Sequence, residues 1–231
     1  MMMDIFSSFD PFVNYSFFGF GNMFWWMMLL SLGLVQGAYW LSNSYLFWAI
    51  SYIFDSMNSQ YYRTFGSHLK GFGSFVISLF VMVVIVNFMG LLPYAFSHSS
   101  HLLFSLVFGL PLWLGLVISS ASFSMKQFTG SLLPSGAPNW LNPSLVLIET
   151  LSISVRPITL SVRLAANMSA GHIVLGLVGI YSSAAMFSSV GSAFLLMAVQ
   201  ILYVIFEMGI CLIQAYIFCL LLTLYSDDHG S

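Results

Sequence analysis

Charge is what this sequence has least of. Among 231 residues there are five Lys or Arg and seven Asp or Glu, 5% in all. A soluble domain carries about 25% charged residues, so a chain this poor in charge cannot clothe a water-facing surface. Hydrophobic residues make up 59%, which predicts an all-α polytopic membrane protein with its outer face in the lipid bilayer. The net charge of −2 is too small to argue for nucleic acid or an acidic partner. Cysteine is nearly absent too. Cys211 and Cys219 both fall in the last apolar run, where they read as small packing residues, and neither a disulfide framework nor a metal-ligand set is visible. No metal or cofactor is expected. Basic residues are missing from "MMMDIFSSFDPFVNY", which carries Asp4 and Asp10, so an ordinary signal or transit peptide is not expected there. No internal repeat, nucleotide loop or catalytic triad is visible, and no catalytic site is expected on this chain.

What the chain does have is apolar length. One membrane domain is expected over 1–231. "GNMFWWMMLLSLGLVQGAYWL", 21–41, is long enough to span and is edged with Trp at both ends. Over 44–66, Ser44, Ser51, Asp55, Asn58, Ser59, Tyr62 and Arg63 recur at helical spacing between apolar residues, the pattern of an amphipathic helix lying in the interface. Further spans are predicted at 74–93 and 102–123, joined by a short polar loop at 97–101. A Gly/Pro/Ser/Asn segment at 130–143 reads as a loop. Two long helix-compatible stretches follow, 143–181 and 188–225. Each would reach roughly 55 Å against a hydrocarbon core of about 30 Å. They must be steeply tilted as a hairpin, or broken, with Pro157, Gly171, Gly191 and Gly209 offering places to bend. About five crossings plus one interfacial helix result. Arg63, Lys70 and Lys126 then fall on one side, while the loops at 94–101 and 182–187 have no Lys or Arg. The positive-inside rule places the C-terminus inside.

The scarce ionisable groups are not scattered. Glu149, Ser152, Arg156, Thr159, Arg163, Asn167 and Ala170 share a narrow sector of the first long helix. His172 falls about half a turn away from that stripe and about 13 Å beyond Arg163. On the last helix Gln200, Glu207 and Gln214 share one face, and the two stripes are expected to face each other. Buried acids and histidines in series can relay protons, since each loses and regains one. Arginine cannot, its pKa exceeding about 12. It acts as a barrier to protons and an attractor for carboxylates. No carboxylate of this chain falls opposite Arg163, and Ala165, Ala166, Ser169 and Ala170 beside it would let another helix approach closely. The missing acid is expected on another subunit.

"LLPSGAPNWLNPSLVLIETLSISVRPITLSVRLAANMSAGHIVL" resembles the signature of the a-subunit family of rotary F-type ATP synthases, and "NFMGLLPYAF", 87–96, resembles that family's asparagine-to-proline segment. The resemblance covers roughly residues 60–225. It implies that Arg163 faces carboxylates of a rotating c-ring, with Asn167 and Gln214 as polar neighbours. Glu207 and His172 would line the outer half-channel, in the mitochondrial arrangement, and Glu149 the inner one. Arg156 is left as a second positive charge or a structural partner. The implied partners are the c-ring, the peripheral stalk and other Fo membrane subunits, with protons as the transported ion. The implied location is the mitochondrial inner membrane, with the C-terminus on the matrix side. ATP chemistry would then occur on partner subunits. Two rivals stand beside this reading. A proton-coupled secondary transporter should show paired repeats, and a structural subunit of a respiratory complex would not need His172 and Glu207.

Overall fold

A backbone in lipid must satisfy its own hydrogen bonds, and uninterrupted runs of Leu, Val, Ile and Phe let it do so as helices. The computed structural model describes residue 9 and residues 45–64, 71–92, 97–133 and 140–227. Within them the order is α1 (Tyr45–Tyr61), α2 (Phe72–Leu91), a 3-10 turn (His98–Ser100), α3 (Leu102–Phe123), α4 (Met125–Ser131), α5 (Asn142–Ser188) and α6 (Val190–Asp227). Four of these, α2, α3, α5 and α6, are long and apolar enough to cross a membrane. The first crossing expected from the sequence, 21–41, lies outside the described residues.

The hydroxyls in these apolar runs are satisfied locally. Ser105 donates to Leu102 O, Ser120 to Val117 O, Ser161 to Ile158 O and Ser182 to Gly179 O, each three residues back. This back-bonding lets serine sit in a helix without a solvent partner.

α2 is the enclosed element. Its Val76, Leu79, Phe80, Val83 and Val84 form a core with Met57 of α1, Leu160 and Leu164 of α5, and Ala215, Phe218, Cys219 and Leu222 of α6. α2 starts after Gly71, whose φ of 83° is a backbone state that side chains with a Cβ disfavour. α1 meets α2 closely, the Tyr61 ring lying against Gly73 where a Cβ would collide with it.

α5 and α6 are joined through the single extended residue Ser189 and return on each other as a hairpin. Cys211 Sγ donates to Met168 Sδ at 3.4 Å, Glu207 packs on Gly171, and Arg156 lies over the Tyr225 ring at 5.4 Å. These pairings, 171 with 207, 168 with 211 and 156 with 225, run antiparallel from the turn. Continuing the register places Gln214 at the level of residues 164–165.

Three expectations are corrected. The two long stretches are each one unbroken helix, of 47 and 38 residues, with Pro157 carried inside α5. α5 is thus about 70 Å long, and breakage is excluded as the way it fits a bilayer. The loop expected at 97–101 is not a water-facing connection. Its 3-10 turn packs among α2, α3 and α5, with Ser97 and Ser99 buried. The loop expected over 130–143 begins inside α4, which continues to Ser131, and ends inside α5, which starts at Asn142 with Pro143 in its first turn. Residues 134–139 lie outside the described residues.

Candidate functional site

α5 has two chemically different flanks. On one, Thr159, Val162, Arg163, Ala166 and Ala170 are exposed; on the other, Pro157, Leu160, Ser161, Leu164, Ala165, Met168 and Gly171 are buried against the rest of the chain. A 3.6-residue period forces this division. Arg163 therefore points away from the helices of its own chain, and among the described residues it has no hydrogen bond or ion pair. Asn167, one turn on, is half-buried at the edge of the open flank.

Further along the same stripe, Arg156 does find partners. Its Nη2 donates to Glu149 Oε1 at 3.5 Å and to Ser152 Oγ at 3.5 Å, and its guanidinium lies over Tyr225 of α6. Both charged side chains are about one-third exposed, and the ion pair is long, so it is worth at most about 1 kcal/mol. Its effect is geometric: it joins Glu149 and the far end of α6 through one cation.

Glu207 sits in the opposite kind of place. It is 2% exposed on the face of α6 that meets α5. Its carboxylate lies against the backbone of Gly171, and a Cβ at 171 would land on it. The Tyr203 side chain lies one helical turn back and is close enough to interact with it electrostatically. His172 is half-buried beside this contact. Its Nε2 is buried with no hydrogen-bond partner among the described residues, and the Phe9 ring meets it edge-on, centroids 6.3 Å apart. Gln214, two turns beyond Glu207, is buried near the level of Arg163, and Gln200 is half-buried.

The two polar stripes therefore do not face each other, contrary to expectation. The α6 stripe turns inward onto the Met168–Gly171 flank of α5, while the Arg163 stripe opens outward. Opposite the bulky acid of α6, α5 presents Gly171, whose missing side chain leaves room for it. Glu207 packs on Gly171, the neighbour of His172, near mid-length of the hairpin, and Glu149 and Arg156 meet towards its open end. Arg163 and Asn167 stand between them on the open flank. Gly171, Tyr203 and Tyr225 were not singled out from the sequence. Tyr203 was within reach of reasoning, lying four residues before Glu207 on one helix face. The other two depend on the hairpin register, which no local pattern encodes. No group of three or more His, Cys, Asp or Glu able to hold a metal occurs among the described residues.

Comparison with known proteins matches residues 15–227 to the family model described as ATP synthase A chain. The chain belongs to the ATP synthase subunit a family. Similar relatives include ATP synthase subunit a of Locusta migratoria and of Drosophila melanogaster, each 37% identical with 99% of both chains covered. The ATP synthase F(0) complex subunit a of Rhopalosiphum padi is 32% identical, over 99% of this chain and 100% of its own. The match runs through all the described helices, so the polar residues above belong to the fold of this family and not to an appended segment.

Proposed function

We propose that the chain is the proton-translocating stator subunit of the Fo sector, working in a complex with other Fo subunits as a multi-pass protein of the mitochondrial inner membrane. Family membership supports the role, and the division of α5 into an open cationic flank and a closed acidic one supports the mechanism. The observation that carries it is Arg163: a permanent cation on an exposed helix flank, with no hydrogen bond or ion pair among the described residues.

A proton enters from the outer side past Glu207 and His172 and neutralises a carboxylate of the rotor, the c-ring. The neutral site then turns away through lipid. On return to the stator it meets Arg163, whose fixed charge favours the ionised carboxylate, and the proton leaves past Glu149 to the inner side. Arg163 separates the two paths because it cannot pass a proton on. The offset is built into α5. His172 lies about 13 Å from Arg163 in one direction and Glu149 about 21 Å in the other, so a proton must ride the ring to cross between them. Each charge moved draws about 2.3 kcal/mol per 100 mV from the membrane potential. The cost of an arginine at bilayer depth is offset by the carboxylates that pass it. With breakage excluded, a steep tilt along the rotor is how helices of this length fit. Asn167 and Gln214 flank the arginine level as neutral polar groups. Arg156 organises the inner acid, and nucleotide chemistry belongs to partner subunits.

Glu207→Gln tests the reading. It keeps the shape of the side chain and removes the titratable proton, so passive proton conduction through the assembled Fo sector should fall while the complex stays intact. Conduction equal to the unaltered protein would remove Glu207 from the path.

A further inference from the structure

α1 packs mainly on α2 and touches α6 at few points. Between the end of α1 and α6 is a groove of about 180 Å³. Met57 of α1 and Leu220 and Leu224 of α6 make its floor apolar. Gln60, Thr64, Tyr216 and Thr223 add polar atoms to its walls. Thr64 and Thr223 give their hydroxyl protons to Tyr61 O and Leu220 O. The Gln60 amide has no hydrogen bond among the described residues and keeps its two donors. Arg63 stands at the mouth, its backbone N–H donating to Gln60 O at 3.1 Å. Its side chain is exposed, with no hydrogen bond or ion pair among the described residues.

The setting limits what can occupy this groove. α1 turns Trp48, Tyr52 and Tyr62 outward, aromatic residues of the kind that sit among lipid headgroups. Asp55 and Arg63 are exposed with them. α6 passes the groove in its last turns before Asp227. The groove therefore opens at the membrane–water boundary, apolar within and cationic at its mouth. A partner's α-helix, about 10–12 Å across, is too wide for it. An apolar cavity of about 150 Å³ takes one benzene, so this groove holds a stretch of acyl chain and leaves the headgroup outside, at Arg63. An unneutralised cation in that place favours a headgroup of net negative charge.

We propose that the α1–α6 groove binds one anionic phospholipid of the adjoining leaflet. Arg63 meets its phosphate, the Gln60 amide donates to its oxygens, and an acyl chain lies on Met57, Leu220 and Leu224. The lipid fastens α1 to the last turns of α6, which the protein's own side chains do only sparsely. The site is separate from the proton path, since none of its residues belongs to the groups around Glu207, Arg163 or Glu149.

Photolabelling of the assembled complex tests this. The complex is reconstituted in phosphatidylcholine vesicles containing phosphatidylglycerol with a diazirine on its acyl chain, and labelled peptides are mapped by mass spectrometry after illumination. Label should appear at 57–64 and 216–224. Arg63→Gln should lower it about fivefold, the weight of one basic residue at an anionic surface, while Arg63→Lys keeps it. Leu224→Trp, at an exposed edge of the floor, should block it by filling the groove. A phosphatidylcholine probe with the same diazirine should label about fivefold less, and excess inorganic phosphate should not compete. Equal labelling in Arg63→Gln, or by the zwitterionic probe, overturns the anionic headgroup. Loss of label to inorganic phosphate overturns the lipid in favour of the free anion. No label in the unaltered complex overturns it in favour of a partner's side chain filling the groove.

Discussion

At the scale of single residues, Gly171 decides where Glu207 can sit. The carboxylate rests on a backbone with no side chain, and the smallest addition would fill that place. Gly171→Ala should therefore push the acid aside, at the about 1–3 kcal/mol typical of overpacking, and slow proton conduction. Combining it with Glu207→Asp, one methylene shorter, should recover part of the rate. Conduction assays on the two variants check this, and an unaffected Gly171→Ala would show that the contact does not matter. Arg156 makes a contrasting case. Its partners are half-open to solvent and its ion pair is long, so Arg156→Gln should change the thermal stability of the purified complex by no more than about 1 kcal/mol.

At the scale of elements, helical periodicity was the readable signal. It gave 102–123 to the residue and α2 to within two residues, because both helices are apolar with plain ends. The 3.6 period also separated the Arg163 stripe from His172. What it could not give is which faces meet. The α6 stripe was expected to oppose that of α5, but it meets the buried flank at Ala165, Met168 and Gly171 instead, and that appears only once register is known. α4 was missed because "MKQFTGS" is short and polar, and a seven-residue helix has too few turns to show a period. The 3-10 turn was read as a loop because its serines look like solvent-seekers, whereas Ser99, and Ser97 just before the turn, are buried in the bundle. Close packing also yields a prediction for α1. Gly73→Ala would strike the Tyr61 ring and should loosen α1 from α2, seen as a lower melting temperature of the complex and faster proteolysis within 45–64. A melting temperature equal to that of the unaltered protein would contradict it.

At the scale of the whole molecule, five basic residues must set the orientation. Arg63 and Lys126 are exposed on segments that the crossing order places on one side, the inner one by the positive-inside rule. A small membrane-impermeant amine reagent should reach Lys126 from the inner side of sealed vesicles and not from the outer; the opposite labelling would invert the two half-channels. On the proposed reading, Glu207 with His172 is outward of Arg163 and Glu149 with Arg156 is inward of it. Between these levels stands Arg163, with no hydrogen bond or ion pair among the described residues. Its chemistry, more than its charge, is what the mechanism needs, because a desolvated lysine can lose its proton and an arginine does not. The most direct measurement is proton-driven ATP synthesis by the Arg163→Lys complex in energised membranes. Synthesis should collapse while the complex still assembles, and synthesis at the unaltered rate would contradict the account.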